Sequence, residues 1–454
     1  MNQRKTILKI FSMSMVLLIT LGITADAFAK STVPSYRTIT EIYDWGAAIP
    51  KIIVDIGKDI EAGAVAKDMF KVYVKRSVPI VVANAQDKDM YMKLSPSVGD
   101  TKILGDTEGY REIINVYVAD KDGNAAKSGR YAVVEMKVGP DITLGSPLNF
   151  DIKTMHNDWV QCDYTLTQLK SIAAKKSAID NLIVTKSTGN TTLIVDDFTF
   201  SEETNDNITM KYASFEPAKD NKKNPLIIWL HGMGEGGNDP TIPISANKAN
   251  MFAAEKIQSH FGGSYVLVPQ APTFWMDGFT GKGDGTSKYE VSLMALIKNY
   301  VANHKDIDTN RIYIGGDSNG GYMTMLMIRD YPDYFAAAFP TCEALRDDLI
   351  TGSDIQKMKK IPIWFTAAKT DGVVPPAEYV VPTHKRLLSA GAKNVQFSFF
   401  DDVHDSTGLY QKEDKTPFEY NGHWSWIYVY NNECISTIDG RQVTIMEWLA
   451  AQHK

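Results

Sequence analysis

The chain has 454 residues, of which 44% are hydrophobic and 22% charged, and its formal net charge is −6. This composition is that of a globular protein with a sizeable core, and it excludes a disordered chain. The acidic balance and the lack of a basic block or nucleic-acid motif in the sequence argue against nucleic acid as a partner. The length predicts about two or three domains.

The first residues have the pattern of a secretory signal peptide. Basic residues at positions 4, 5 and 9 precede an apolar run over residues 10–23, and Ala27-Phe28-Ala29 fits the small-x-small cleavage pattern. The run is shorter than the roughly 20 apolar residues of a membrane span, so we expect no stable membrane insertion. We therefore predict that residues 1–29 are a signal peptide, removed after Ala29, and that the protein is secreted. An uncleaved N-terminal anchor is the alternative.

Residues 30–186 alternate between polar and apolar side chains, as short β-strands do. Examples are Lys51–Ile56, Phe70–Val74, Ile113–Val118 and Tyr131–Met136. Turn signals separate these segments, and strands at this spacing predict an antiparallel β-sandwich. The region shows no group of residues with an evident chemistry. We expect Trp45, His156 and Trp159 to be packing residues rather than the lining of a ligand groove.

Residues 187–454 instead predict strands that alternate with helices. The strand candidates are nearly continuous apolar runs: Asn224–Leu230, Ser264–Val268, Arg311–Ile314, Phe335–Phe339, Ile361–Phe365 and Val395–Phe400. Helical patterns lie between them, for example over residues 289–304 and 377–390, and a last one covers residues 443–452. Apolar strands separated by helices predict a mainly parallel sheet with helices on both faces.

The segment Gly316-Asp-Ser-Asn-Gly320 has the form of a nucleophile elbow. The apolar segment Arg311–Gly315 before it predicts a strand, and the segment Gly321–Arg329 after it predicts a helix. In this context G-x-S-x-G places a serine on a strained turn at the carboxyl end of a parallel sheet. Ser318 is therefore the predicted nucleophile.

The other members of a catalytic triad should follow the serine in the order acid, then histidine. Asp371 comes just after the predicted strand that begins at Ile361, and it is the predicted acid. Of the eight histidines, His404 and His423 are the candidates for the base. They flank a segment, residues 405–420, that we expect to form an out-and-back excursion. Spacing alone does not choose between them.

Backbone amides are predicted to bind the oxyanion. One belongs to Asn319, directly after the nucleophile. The other comes from the loop His231-Gly-Met-Gly-Glu-Gly-Gly237, where Met233 is the expected donor and Gly232 and Gly234 are alternatives. His231 is expected to hold this loop. Trp275 and Trp424 are predicted to line the substrate pocket, with packing roles as the alternative.

No metal or organic cofactor is required by this chemistry. The three cysteines, Cys162, Cys342 and Cys434, lack the spacing of metal ligands, and we interpret them as packing residues or free thiols.

These motifs together resemble the bacterial α/β-hydrolase esterases that carry an N-terminal immunoglobulin-like domain, whose hydrolase half is related to polyhydroxybutyrate depolymerases and feruloyl esterases. The matching segments are Leu230–Gly237, Pro269–Pro272, Arg311–Gly321, Lys369–Pro375 and His423–Trp426 leading to Glu447–Leu449. The resemblance implies that residues 30–186 are an immunoglobulin-like sandwich and residues 187–454 an α/β-hydrolase catalytic domain. It also implies that His423, in a His-x-Ser-Trp segment, is the base, with His404 as the alternative.

The sequence therefore predicts a secreted serine carboxylesterase that acts through an acyl-enzyme. Its partner would be a small-molecule or polymer-linked ester that serves as the substrate. The sequence is compatible with a homo-oligomer. The acyl group is not predicted: feruloyl or acetyl groups on polysaccharide and polyester are alternatives. Two further hypotheses are a peptidase of the prolyl-oligopeptidase type, although propeller repeats are missing from the sequence, and a non-catalytic surface binding protein.

Overall fold

A computed structural model describes residues 33–77, 105–151, 155–175, 177–279 and 281–454. The predicted signal peptide, residues 1–29, lies outside these ranges. Among the described residues, no helix is long and apolar enough to cross a membrane. The sulfur atoms of Cys162, Cys342 and Cys434 form no disulfide.

The first part of the chain is built from short strands. They are β1 (Ser35–Tyr43), β2 (Gly46–Glu61), β3 (Phe70–Ser77), β4 (Glu108–Arg111), β5 (Ile113–Ala119), β6 (Ser128–Met136), β7 (Leu148–Asp151), β8 (His156–Trp159), β9 (Gln161–Gln168), β10 (Ile172–Ala174), β11 (Ser177–Ile179), β12 (Ile183–Val184) and β13 (Lys186–Thr192).

Among the described residues, these strands form two main sheets that share one core. One sheet has the order β13-β1-β2-β6-β5 and the other the order β12-β9-β3-β4. Buried residues alternate with exposed ones along β3, as expected for a strand with one face in the core. The core cluster joins side chains of both sheets, for example Val54 and Val134 of the first and Val72 and Leu166 of the second. The predicted sandwich is confirmed.

The second part of the chain alternates strands and helices. Its strands are β14 (Thr199–Asn205), β15 (Ile208–Phe215), β16 (Asn224–Leu230), β17 (Tyr265–Gln270), β18 (Ile307–Asp317), β19 (Ala337–Thr341), β20 (Ile363–Ala368), β21 (Val395–Phe400), β22 (Ile435–Ile438) and β23 (Arg441–Thr444). Its helices are α1 (Thr241–Ser245), α2 (Glu255–Phe261), α3 (Glu290–Asn303), α4 (Asn319–Asp330), α5 (Gly352–Met358), α6 (Val380–Ser389), α7 (Trp426–Tyr430) and α8 (Ile445–Ala450).

Within residues 199–400, described except for residue 280, eight strands form one sheet in the order β14-β15-β17-β16-β18-β19-β20-β21. The strands from β17 to β21 pair in parallel, and the β14–β15 hairpin adds an antiparallel edge. All seven residues of β16 are buried. Leu226 and Ile228 join one hydrophobic cluster while Ile227 and Trp229 join another, so the sheet is covered on both faces. The predicted α/β-hydrolase architecture is confirmed.

The predicted boundary after residue 186 falls at the start of β13, which pairs in parallel with β1 of the sandwich. Hydrogen bonding therefore continues the sandwich to Thr192. The position of the boundary stays a prediction.

Asp44 joins the two parts of the chain through a buried ion pair. Its carboxylate lies 2.5 Å from the Lys248 Nζ and accepts a hydrogen bond from the Asn431 Nδ2 at 3.2 Å. The Asp44 side chain is 3% exposed and the Lys248 side chain 12%. A charge buried to this extent depends on its partner, because removal of one member leaves the other unpaired and away from water.

We expect Asp44→Ala to lower the free energy of unfolding by about 3–5 kcal/mol, since Lys248 loses its carboxylate partner. Urea denaturation followed by tryptophan fluorescence measures this loss. Asp122→Ala is the control, because Asp122 pairs with Lys121 at the surface with side chains 59% and 74% exposed, and a surface pair is worth about 1 kcal/mol or less. Equal losses of unfolding free energy in the two variants would show that the buried Asp44–Lys248 ion pair does not stabilise the fold more than a surface pair does.

Candidate active site

Ser318 lies on the turn between β18 and α4. Its φ is +54° and its ψ −112°, a backbone conformation that is rare outside glycine and costs about 1–3 kcal/mol. A Cβ on Gly320 would lie 2.7 Å from the carbonyl oxygen of His231 and closer still to that of Leu230, so only glycine fits there. The turn therefore brings the start of α4 against the end of β16 and leaves the Ser318 hydroxyl at the carboxyl edge of the sheet.

The side chains of Ser318, His423 and Asp371 form a hydrogen-bonded chain. The His423 Nε2 lies 2.9 Å from the Ser318 Oγ, and the His423 Nδ1 lies 2.8 Å from the Asp371 Oδ2. His423 is 8% exposed and Asp371 is 4% exposed. A histidine between a carboxylate and a serine hydroxyl has the arrangement needed to take the serine proton.

Asp371 is held in place by the loop that follows β20. Its second oxygen, Oδ1, accepts hydrogen bonds from the amides of Val373 at 2.9 Å and Val374 at 2.8 Å. The carboxylate is therefore fixed from one side by backbone donors, while its other oxygen receives the Nδ1–H of His423.

His404, the alternative base, lies at the other end of the predicted excursion. Its backbone pairs with Glu419 in an antiparallel bridge, and a second bridge joins Gln411 and Pro417, so the segment does run out and back. The His404 side chain is exposed, however, and its Nδ1 lies 2.5 Å from the Asp402 Oδ1. His404 and His423 therefore both lie where the excursion begins and ends. Of the two, only the His423 ring is hydrogen bonded to Ser318.

The predicted oxyanion donors lie on the two segments that meet at Gly320. Asn319 opens α4, and Met233 opens a single 3₁₀ turn, Met233–Glu235. The first amides of a helix have no acceptor within it and are free to bind an anion. The amide of Gly232, the alternative donor, already has an acceptor within the protein, because it donates a hydrogen bond to the Glu235 Oε2 at 2.8 Å.

His231 holds the oxyanion loop, residues 231–237, from inside. Its Nε2 accepts a hydrogen bond from the Ala271 amide at 3.0 Å, so the proton of the neutral ring is on Nδ1, which donates to the Gly232 carbonyl oxygen at 2.7 Å. Burial lowers the pKa of His231 to about 4, which keeps the ring neutral. The peptide group of Gly232 also carries the Met233 N–H, so His231 sets the direction of that amide.

Trp275 does not line a pocket, contrary to the prediction. It is 0% exposed, and its Nε1 donates to the His231 carbonyl oxygen at 3.1 Å. Its backbone amide donates to the Asn319 Oδ1 at 2.6 Å. Trp275 thus ties the oxyanion loop to the start of α4. Trp424 is only half-buried and stacks between Tyr420 and Trp426, so it stays a candidate for substrate contact.

Comparison with known proteins matches both parts of this chain. Residues 35–181 match the esterase Ig-like N-terminal domain, and residues 212–410 match the phospholipase/carboxylesterase family. The chain has an α/β-hydrolase fold preceded by an immunoglobulin-like domain, and both parts are similar to domains of esterases. A crystal structure of a thermostable esterase is similar over 92% of this chain and 100% of that chain, with 26% identity and a TM-score of 0.72.

Two depolymerases are similar to part of this chain. The poly(3-hydroxyalkanoate) depolymerase C of Paucimonas lemoignei is 32% identical over 125 residues, 26% of this chain and 27% of that protein. The poly(3-hydroxybutyrate) depolymerase of Ralstonia pickettii is 28% identical over 131 residues, 28% of this chain and 26% of that protein. The chain therefore spans about a quarter of the length of these curated relatives.

Two buried carboxyl groups lie behind the candidate active site. Asp317 is 0% exposed and Glu235 is 1% exposed. Burial raises the pKa of Asp317 to about 7, and burial together with the Asp317 charge raises the pKa of Glu235 well above its usual value. The Asn247 Nδ2 donates to the Asp317 Oδ2 at 3.2 Å. Both groups therefore keep their protons to a higher pH in the folded protein than in the unfolded chain.

We expect this pair to make the folded protein less stable as the pH rises. The unfolded chain releases the Asp317 proton near pH 4, whereas the folded protein keeps it until about pH 7, so the contribution of Asp317 to stability falls between these values. Asp317→Asn should flatten this decline and raise the free energy of unfolding at pH 8 by roughly 1–4 kcal/mol, since a tenfold change in proton affinity is worth about 1.4 kcal/mol. Urea unfolding at pH 5 and pH 8 tests it.

The control for this experiment is Asp141→Asn, a change at an exposed carboxylate, which should keep the wild-type pH profile. A decline in Asp317→Asn as steep as in the wild type would show that the buried pair is not its source.

Proposed function

We propose that this protein is a secreted serine carboxylesterase that hydrolyses carboxylic esters through an acyl-enzyme. The observation that carries the proposal is the His423 ring, which is hydrogen bonded to the Ser318 hydroxyl through one nitrogen and to the Asp371 carboxylate through the other. A serine hydroxyl is a poor nucleophile at neutral pH, and this arrangement supplies the base that activates it.

In the first half of the proposed reaction, the Ser318 Oγ attacks the ester carbonyl carbon while the His423 Nε2 takes the hydroxyl proton. The amides of Met233 and Asn319 stabilise the negative charge that forms on the carbonyl oxygen. The Asp371 carboxylate holds the Nδ1–H of His423 and stabilises the imidazolium. The tetrahedral intermediate then expels the alcohol, which receives the proton from His423, and leaves an acylated Ser318.

In the second half, a water molecule gives a proton to His423 and attacks the acyl carbon. The intermediate collapses, the carboxylic acid leaves, and Ser318 recovers its proton from His423. All proton transfers in these steps use the Nε2 of His423, which lies 2.9 Å from the Ser318 Oγ.

Aliphatic polyester is the second candidate substrate. The two depolymerases that resemble part of the chain act, by their names, on poly(3-hydroxyalkanoate) and poly(3-hydroxybutyrate), and this supports a short hydroxyacyl ester as the bond that is cleaved. Feruloyl and acetyl esters of polysaccharide stay alternatives, as does an amide substrate.

We expect Ser318→Ala and His423→Ala each to lower kcat by about 10⁴-fold or more, because triad members act as a unit. His404→Ala is the matched control, since its exposed ring lies at the other end of the same excursion, and its kcat should stay within about twofold of wild type. Hydrolysis of p-nitrophenyl butyrate measures kcat, and circular dichroism checks the fold. A large loss in His404→Ala with full activity in His423→Ala would reverse the assignment.

A substrate panel decides between the ester classes. We expect turnover of p-nitrophenyl acetate and butyrate, and release of hydroxy acid from poly(3-hydroxybutyrate) if polyester is the natural substrate. Methyl ferulate and acetylated xylan test the polysaccharide alternatives. Preferred cleavage of a p-nitroanilide amide would instead favour the peptidase hypothesis.

A further inference from the structure

We propose that the immunoglobulin-like domain completes the oxyanion hole from outside, and that His156 and Asn157 are positioning residues for the reaction. The β7–β8 hairpin, formed by residues 148–151 and 156–159, places these two side chains against the oxyanion loop. This inference rests on the proposed function, because it concerns the loop that carries the Met233 amide.

Two hydrogen bonds connect the hairpin to the loop. The Asn157 Nδ2 donates to the Gly234 carbonyl oxygen at 3.0 Å, and the His156 Nε2 lies 2.5 Å from the Gly236 carbonyl oxygen. A carbonyl oxygen only accepts, so the ring of His156 donates through Nε2. Its other nitrogen lies 3.2 Å from the Asp158 Oδ1, which also only accepts, so this second contact orients the ring when both nitrogens carry a proton. Both bonds cross from the sandwich to main-chain groups of the catalytic domain.

The loop is shaped to receive the hairpin. A Cβ on Gly234 would lie 2.9 Å from a ring carbon of Phe150 and 3.0 Å from the Asn157 Nδ2. The hairpin therefore sits directly on the backbone of the loop, at the residue that follows Met233, and a side chain at position 234 would push it away.

The loop is thus held from two sides. His231 fixes the Gly232 carbonyl oxygen from inside the catalytic domain, and the hairpin fixes the carbonyl oxygens of Gly234 and Gly236 from outside. The Met233 N–H belongs to the peptide group that His231 anchors through the Gly232 carbonyl oxygen, and the first peptide group that the hairpin anchors, that of Gly234, lies two residues further along the chain. An oxyanion donor contributes to the rate only when it is already aimed at the developing charge, and a displacement of about 1 Å can cost roughly 100-fold.

A further hydrogen bond of the same hairpin reaches the catalytic domain away from the oxyanion loop, and it provides a control. The Trp159 Nε1 donates to the Thr241 Oγ1 at 2.8 Å, on the same hairpin but at α1 rather than at the oxyanion loop. If the sandwich served only to stabilise the catalytic domain, loss of the Trp159 bond and loss of the Asn157 bond would have similar effects on kcat.

The test compares Asn157→Asp, His156→Ala and the control Trp159→Phe in the full chain. Asn157→Asp keeps the shape of the side chain but turns the donor into an acceptor that repels the Gly234 carbonyl oxygen. We expect Asn157→Asp and His156→Ala to lower kcat for p-nitrophenyl butyrate by about 10- to 100-fold, with KM within about threefold. His156→Gln, which keeps an N–H donor, should recover part of the loss. Trp159→Phe should keep kcat within about twofold.

A transition-state analogue separates a positioning role from a general structural one. A trifluoromethyl ketone forms a tetrahedral oxyanion on the serine, so its inhibition constant should rise in Asn157→Asp by the same factor as kcat/KM falls. Wild-type kcat and inhibition in folded Asn157→Asp and His156→Ala would overturn the inference, as would an equal loss of kcat in Trp159→Phe. A wild-type protein that neither hydrolyses the ester nor binds the ketone would instead overturn the proposed function, and the inference with it.

Discussion

The close crossing of the main chain at Gly320 fixes the positions of the nucleophile and of the oxyanion loop relative to each other. The start of α4 passes against the carbonyl oxygens at the end of β16, so near that no Cβ is accommodated at this position. To make this crossing, Ser318 takes a positive φ. The same crossing brings the first amide of α4 to the loop that leaves β16. One steric constraint therefore exposes the nucleophile and joins the two proposed oxyanion donors.

The rest of the site follows from the parallel sheet. Because β16, β18 and β20 run in the same direction, their carboxyl ends meet at one edge, and the segments that leave them bear the oxyanion loop, Ser318 and Asp371. His423 comes from a later segment, at the end of an excursion that returns near its own start. The sheet thus positions the oxyanion loop, Ser318 and Asp371, and the excursion positions His423. The immunoglobulin-like domain adds two hydrogen bonds to the oxyanion loop.

Local patterns in the sequence predicted the elements of this fold well. The bounds of β16 and β21 agree with the predicted segments Asn224–Leu230 and Val395–Phe400. All of β16 is buried, as its apolar run predicts for a strand that is covered on both faces. The placement of Asp371 after β20 and of Ser318 between β18 and α4 followed from the same patterns together with the order of the motifs.

Features that depend on the direction of a side chain were not predictable in this way. Trp275 follows a strand at the edge that carries the site, yet its ring turns inward to the His231 carbonyl oxygen. His404 and His423 are equivalent by spacing, and only the packing of the excursion aims one of them at Ser318. The hydrogen bond of His156 joins residues 80 positions apart in the chain, and that of Asn157 joins residues 77 positions apart, so no local sequence pattern predicts them. The alternation of polar and apolar residues along the sandwich strands predicted which face of each strand is buried. It gave no sign that His156 and Asn157 have a role at the active site.

Covalent labelling of the nucleophile tests the central claim most directly. The protein is treated with a fluorophosphonate, digested, and mapped by mass spectrometry, with His423→Ala treated in parallel. We expect a single adduct on Ser318 in the wild type, formed in step with the loss of esterase activity, and a much slower reaction in the variant. An adduct on another residue, or ester hydrolysis that continues after Ser318 is fully labelled, would contradict it.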